Sequence, residues 1–349
     1  MLYQCANPHG GDLYGRTVEL DFSVNTNPLG TPPAVVRAVE RTAGELCRYP
    51  DPCCRELTAA LAAREGVAAE RILCGCGAAE LIYAYCGAIG VESALMTAPT
   101  FSEYAAALEA AGSRAAYVRL EEGEGFALTD RFLEALERTE CGAVFLCNPN
   151  NPTGQLIASA LLEEIWSVCR RRGLRLFVDE CFLELSSGGR SLSCRLEEWP
   201  GLFLLRAFTK SYGMAGLRLG YCLSADKALL TEMSRRVQPW NVSLPAQAAG
   251  VAALGEASFL EEARRMIEEE RPRLVGALAE LGLTVYPSQA NYLLLKSGRE
   301  LYGPLLERGI LIRDCANYRG LGAGWYRLAV KTPEENRQLV DALAAVLRE

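Results

Sequence analysis

The chain is poor in the residues that most often carry proton and metal chemistry. Of 349 residues one is histidine, His9, and of 36 basic residues only four are lysine: Lys210, Lys227, Lys296 and Lys331. A single histidine contributes little to a metal site. The 14 cysteines do not compensate: the two local clusters, Cys53-Cys54 and Cys74-x-Cys76, miss the C-x(2–4)-C spacing of zinc ligands, so no metal is expected. A surplus of positive charge is missing too. The net charge is −7, which argues against a nucleic acid or an anionic membrane surface as partner. No apolar run reaches membrane-spanning length. The opening MLYQCANPHGGDLYGR lacks a charged segment followed by an apolar core, so a secretory leader is not expected either. The chain reads as cytoplasmic, with most cysteines reduced, small and buried. No internal repeat or low-complexity tract interrupts it.

What is present is ordinary globular material. Half of the residues are hydrophobic and 23% are charged, enough for a large core and two lobes. Strand-like runs alternate with helical patterns, which predicts an α/β fold with a largely parallel sheet flanked by helices. Ser93–Pro99, Gly142–Gly154, Leu174–Phe182 and Leu202–Phe208 each contain such a run, and Ser159–Gly173 reads as a helix ending on basic residues and glycine. After about Pro239 the pattern changes. A long helical stretch leads to ANYLLLK, ILIRDC and YRLAVK, expected as strands of a smaller α+β lobe. A last helix opens at Thr332 with Pro333 and Glu335, a capping-box pattern. The expected organisation is an N-terminal arm and part of the small domain in 1–48, a large ligand-binding domain in 49–240 and a small domain in 241–349.

The chemistry sits where strands end, the ligand-binding side of parallel sheets. VDE places Asp179 at one strand end. NPNNPTG places Asn151 past another, and RAFTK places Lys210 past a third. LCGCGAAELIYAY puts small residues at a helix start, where free backbone N–H groups can hold a phosphate. A lysine, a carboxylate and a phosphate cradle together suggest pyridoxal phosphate: lysine forms a Schiff base with its aldehyde, and the carboxylate keeps its pyridine nitrogen protonated. Arginine can do neither imine chemistry nor proton release, which accounts for a rare lysine in the glycine-punctuated stretch Arg206–Cys222.

NPNNPTG, VDE, TKSYGMAGLRLGY and YRLAV, in that order, resemble the fold type I aminotransferase superfamily of pyridoxal-phosphate enzymes over nearly the whole chain. The resemblance implies a large domain around a mostly parallel seven-stranded sheet plus a smaller α+β domain. It implies that Lys210 is the Schiff-base lysine, that Asp179 pairs with the pyridine nitrogen and that Asn151 bonds the ring 3-oxygen. Arg218, Thr209 and the N–H groups of Gly77, Ala78 and Ala79 then hold the cofactor phosphate, and Phe101 stacks on the ring. Tyr49 reaches the phosphate of a neighbouring subunit, so a homodimer with shared sites is implied. Two positions depart from the pattern. Phe182 stands where many relatives have a tyrosine that donates to the 3-oxygen, and Ala207 where a serine or threonine is common.

Asn7–Arg16, Leu20–Val35 and Gly309–Thr332 are similar to the branch of that superfamily formed by the threonine-phosphate decarboxylases of cobalamin biosynthesis, in which phenylalanine also occurs at the position of Phe182. That likeness implies decarboxylation of O-phospho-L-threonine to (R)-1-aminopropan-2-yl phosphate. Histidinol-phosphate aminotransferase is the alternative. Arg313 and Arg327, on neighbouring strand-like segments, are the expected clamp for an anionic substrate group, with His9 and Asn27 assisting. The glycines Gly213, Gly216 and Gly220 read as backbone-conformation residues rather than ligands.

Overall fold

The computed structural model describes residues 9–349. The strands are β1 (Leu20–Asp21), β2 (Ile72–Gly75), β3 (Ser93–Ala98), β4 (Arg114–Arg119), β5 (Ala143–Cys147), β6 (Arg175–Asp179), β7 (Leu202–Ala207), β8 (Gly220–Ser224), β9 (Thr284–Val285), β10 (Tyr292–Lys296), β11 (Ile310–Leu311), β12 (Arg313–Asp314) and β13 (Trp325–Ala329). Seven of them form one sheet in the order β2-β8-β7-β6-β5-β3-β4. The pairs β7–β6, β6–β5, β5–β3 and β3–β4 are parallel, whereas β8 is antiparallel to both of its neighbours. The other six strands therefore all point the same way.

The central strands are apolar along their middles because both faces are covered, as in other parallel sheets. Val144 and Leu146 of β5, Leu176 and Val178 of β6 and Leu202 and Leu204 of β7 face one core. The alternate residues Phe145, Phe177, Phe203 and Leu205 face the other, as the two-residue period of a strand requires. Helices Arg55–Glu65 and Ser159–Arg172 pack in the first core, and Gly77–Ile89, Glu103–Ala110 and Lys227–Ser234 in the second. No described helix is long and apolar enough to cross a membrane.

The second lobe is a four-stranded antiparallel sheet, β12-β13-β10-β9. The run ILIRDC divides between two sheets: β11 pairs parallel with β1, and β12 turns to β13. The cores also cross the expected boundaries at 48 and 240. Val35 of helix Pro33–Thr42 and Ala246, Ala249 and Ala253 of helix Leu244–Leu254 lie in the first core of the large sheet. Helix Ala257–Glu280 spans the lobes, with Leu260, Ala263 and Ile267 in that core and Leu274 and Leu278 in the core of the small lobe, beside Phe22 and Leu343. The closing helix, Pro333–Arg348, carries the capping box in full.

Candidate active site

The strand directions fix where the site is. At the carboxyl edge of the large sheet β6 ends on Asp179, and β7 runs into the four-residue helix Phe208–Ser211 that carries Lys210. β5 leads to Asn151, β3 to Phe101, and β2 to the helix starting at Gly77. The small lobe brings Arg313 and Arg327 over this edge, and the segment around β1 brings His9, Ser23 and Asn25. Together they enclose a cavity of about 220 Å³.

Lys210 faces the cavity with its Nζ 5.6 Å from the centre of the Phe182 ring. Burial, and then the positive charges of Arg327 and Arg218, pull the ammonium down to about 8. At pH 7–8 a useful fraction of the amine is then neutral, against about one part in a thousand for an ordinary lysine. Asp179 is pushed the other way: burial raises its carboxyl, opposed by hydrogen bonds. Tyr104 Oη donates to its Oδ2 at 2.6 Å and the Cys181 N–H to its Oδ1 at 2.8 Å. A carboxylate held in this way has much to gain from a cation in the cavity. The two thiols that line the same space, Cys147 and Cys181, are both pushed up by burial and stay protonated.

The phosphate cradle is built by close approach. Helix Gly77–Ile89 presents its first N–H groups to the cavity wall formed by Ala78 and Ala79. Glu80, in the same turn, is occupied elsewhere: its Oε2 accepts from the Cys76 N–H and from Asn241 Nδ2, both at 2.7 Å. Arg218, held at φ +57, lays its guanidinium against Gly77. A Cβ at Gly77, itself at φ +78, would stand 2.7 Å from Arg218 Nη2, and one at Gly220 would stand 2.8 Å from the Ala78 nitrogen. Gly220 needs glycine for space, because backbone stands in the way, whereas Gly77 needs it for conformation and a Cβ there would displace the end of Arg218.

A second cationic group lies beside this cradle. Arg313 and Arg327 face each other across β12 and β13 as direct partners, and both are buried. Arg313 Nη2 donates to Asn317 Oδ1 at 2.7 Å. Arg327 donates to Asn151 Oδ1 and, at 2.8 Å, to the Ser23 carbonyl, while its buried Nε has no partner among the described residues. Like charges directly opposite on a sheet repel, so the arrangement calls for an anion. Asn25, 1% exposed and lining the cavity, leaves both Nδ2 and Oδ1 unpartnered among the described residues, a cost of about 1–3 kcal/mol per group unless a ligand satisfies them.

Of the residues expected from sequence, His9, Ala78, Ala79, Phe101, Asn151, Asp179, Thr209, Lys210, Arg218, Arg313 and Arg327 line the one cavity, and Gly77 abuts Arg218. Two do not. Asn27 turns into the backbone: its Nδ2 donates to the Ser211 carbonyl at 2.8 Å and its Oδ1 accepts from the Leu29 N–H at 2.9 Å. The neighbour two residues earlier, Asn25, takes the place foreseen for it. The Asn27-Pro28 pair, a turn-initiating combination, carried the signal that separates them. Tyr49 is 77% exposed, stacked on Trp240 at 4.5 Å and absent from this protomer's cavity. Tyr104 and Tyr318, whose hydroxyls bond Asp179 and Asn151, were not among the residues expected from sequence. The Tyr318 hydroxyl donates to Asn151 Oδ1 at 3.2 Å, so a phenol stands beside Asn151 although position 182 holds phenylalanine.

The family model "Aminotransferase class I and II" matches residues 17–343. The threonine-phosphate decarboxylase of Salmonella typhimurium is 40% identical over 94% of this chain and 91% of its own length. A histidinol-phosphate aminotransferase of Desulfitobacterium hafniense is 35% identical over 95% of this chain and 92% of its own. Among solved structures, the histidinol-phosphate aminotransferase from Clostridium acetobutylicum superposes with a TM-score of 0.87 at 28% identity, covering 94% of this chain and 99% of that one.

Proposed function

Because the chain belongs to the class I and II aminotransferase family, we propose that it binds pyridoxal phosphate and decarboxylates O-phospho-L-threonine to (R)-1-aminopropan-2-yl phosphate and CO₂. The residues fit the cofactor. Gly77 keeps open, against Arg218, a space that a Cβ would fill. Asp179 is a buried carboxyl suited to a ring nitrogen that carries a proton, and Asn151, whose Oδ1 is occupied by Arg327 and Tyr318, has its amide N–H groups left to donate. Arg218, Thr209 and the N–H groups at the start of helix Gly77–Ile89 would hold the phosphate. When bound, the cofactor supplies an aldehyde for the amine and an electron sink for the broken bond.

The observation that carries the phosphorylated substrate is the buried cross-strand pair of Arg313 and Arg327, and the 40% likeness to a threonine-phosphate decarboxylase favours loss of the carboxylate as the reaction. An arginine gripping the substrate carboxylate would oppose its loss. Two arginines gripping a phosphate would leave the carboxylate unheld, so that the electrons of the Cα–carboxyl bond can pass to the bound cofactor as CO₂ departs. Lys210, with its depressed proton affinity, would return a proton to Cα. The same arginine pair suits any phosphorylated amine, and the 35% likeness to an aminotransferase makes transamination of histidinol phosphate the second reading. We assign the exposed Tyr49 to the site of a second copy in a homodimer.

Purified holoenzyme incubated with O-phospho-L-threonine and no keto acid separates the readings. The expected result is CO₂ release that Lys210→Ala abolishes. No CO₂, together with amino transfer from histidinol phosphate to 2-oxoglutarate, would establish the second reading.

A further inference from the structure

The only histidine of the chain is held across the cavity mouth from two sides, and the two holds belong to different lobes. On one side the Gly11 N–H donates to Ser23 Oγ at 2.8 Å, and Gly10 lies so flat against Ser23 that a Cβ there would stand 2.3 Å from the Ser23 carbonyl oxygen. Ser23 follows Phe22, which packs in the small-lobe core, and the Ser23 carbonyl accepts from Arg327. On the other side His9 Nε2 meets Glu103 Oε1 at 2.8 Å. Glu103 begins helix Glu103–Ala110 on the large sheet, just past Phe101, whose ring lies 5.8 Å from the imidazole.

From this geometry we infer that Glu103 is a positioning residue: it clasps His9 over the cavity mouth so that the imidazole can take part in binding the anionic end of the substrate. Three features support the assignment. His9 lines the cavity together with Arg313, whereas Glu103 does not, so the carboxylate acts through the imidazole. The hydrogen bond from His9 is the largest influence holding the Glu103 carboxyl below its usual range, so the carboxylate is the form that grips. Gly10 and Gly11 follow His9 in the chain and lend the segment little stiffness of their own, so a hydrogen bond to the ring itself adds to the positioning of the imidazole. The hydroxyl of Tyr83, 3.4 Å from Glu103 Oε2, steadies the carboxylate from the neighbouring helix. This inference rests on the reading of a phosphorylated substrate for the choice of ligand, but not for the clasp itself.

The test compares Glu103→Ala with Glu103→Gln in the holoenzyme. A clasp predicts that Glu103→Ala raises KM for O-phospho-L-threonine about tenfold with kcat within about twofold, because it removes binding rather than chemistry. Glu103→Gln, which keeps a hydrogen-bond acceptor at the same reach, should return KM to within about threefold of wild type. A merely structural role for Glu103, as an acidic residue in the first turn of its helix, predicts the opposite: the two variants lose the same charge and should be equally impaired. The second readout needs no turnover. Inorganic phosphate titrated onto holoenzyme shifts the one imidazole resonance in its NMR spectrum, and the midpoint should rise about tenfold in Glu103→Ala. Unchanged phosphate binding in Glu103→Ala, or a fall in kcat without a change in KM, would overturn the assignment. If the enzyme releases no CO₂ from O-phospho-L-threonine, the phosphate titration still decides the clasp, so the two proposals fail separately. Should Glu103→Ala not fold, Glu103→Leu, similar in size and without a hydrogen-bond acceptor, stands in: a loss of phosphate affinity of about tenfold is expected, and wild-type affinity there would overturn the clasp.

Discussion

Lys210 is where burial and chemistry meet most directly. Its folded-state proton affinity lies near pH 8 against an ordinary value of 10.5, so between those two pH values the unfolded chain binds more protons than the folded one. Stability of the cofactor-free protein should therefore rise with pH across that window, and the penalty is fully present below pH 8. Lys210→Met removes the buried charge. We expect the cofactor-free variant to be more stable than cofactor-free wild type at pH 7 by about 1–3 kcal/mol, with the gap narrowing as pH rises towards 10.5, as measured by thermal unfolding. A gap that is absent, or that widens with pH, would show that the amine is solvated. Lys210, Asp179 and Arg218 were singled out in the sequence by their residue types around strand ends, and the structure gathers all three on one cavity. The choice between Asn25 and Asn27 was missed because both lie in the stretch SVNTNP, and it depends on which carboxamide the local turn captures. Tyr104 and Tyr318 could not be read at all: their partners, Asp179 and Asn151, are 75 and 167 residues away.

At the scale of elements, the start of helix Gly77–Ile89 is the part of the site most sensitive to a single methyl group. Gly77→Ala puts a side chain at φ +78, costing about 1 kcal/mol or more, and drives it against Arg218 Nη2. Affinity for pyridoxal phosphate should fall at least about tenfold, measured by titrating cofactor absorbance. Gly282→Ala is the control: it sits at φ +80 with nothing within 4 Å, so it should lower stability slightly and leave cofactor affinity alone. Wild-type affinity in Gly77→Ala would mean that the cradle is looser than this geometry. Elements with strong apolar runs, β3, β5, β6 and β7, were legible together with the helix Ser159–Arg172 and the final capping box. The edge strand β4 was not, since its exposed or half-buried residues give no continuous apolar signal. Nor was the division of residues 310–314 between two sheets, because the partner of β11 is β1, at the other end of the chain.

For the whole molecule, the lobes share one linking helix, Ala257–Glu280, and one cavity between them, and the exposed surface bears on assembly. Tyr49, 77% exposed, stacks on Trp240, 46% exposed, with Leu46 also uncovered close by in sequence. Exposed aromatic surface of this kind marks an interface more often than a free face. If Tyr49 serves the cavity of a second copy, a homodimer of Lys210→Ala and a homodimer of Tyr49→Ala are both defective for different reasons. In a mixed dimer one cavity has Lys210 from one chain and Tyr49 from the other. Co-expression of the two variants should then restore about a quarter of wild-type activity, because half of the dimers are mixed and each has one sound site of two. Activity no higher than the average of the separate variants would place Tyr49 outside the catalytic unit and leave its stacking with Trp240 a matter of surface packing. Recovery near a quarter would explain why a tyrosine legible as a site residue in sequence stands in the open in a single protomer: its ligand belongs to the neighbouring chain.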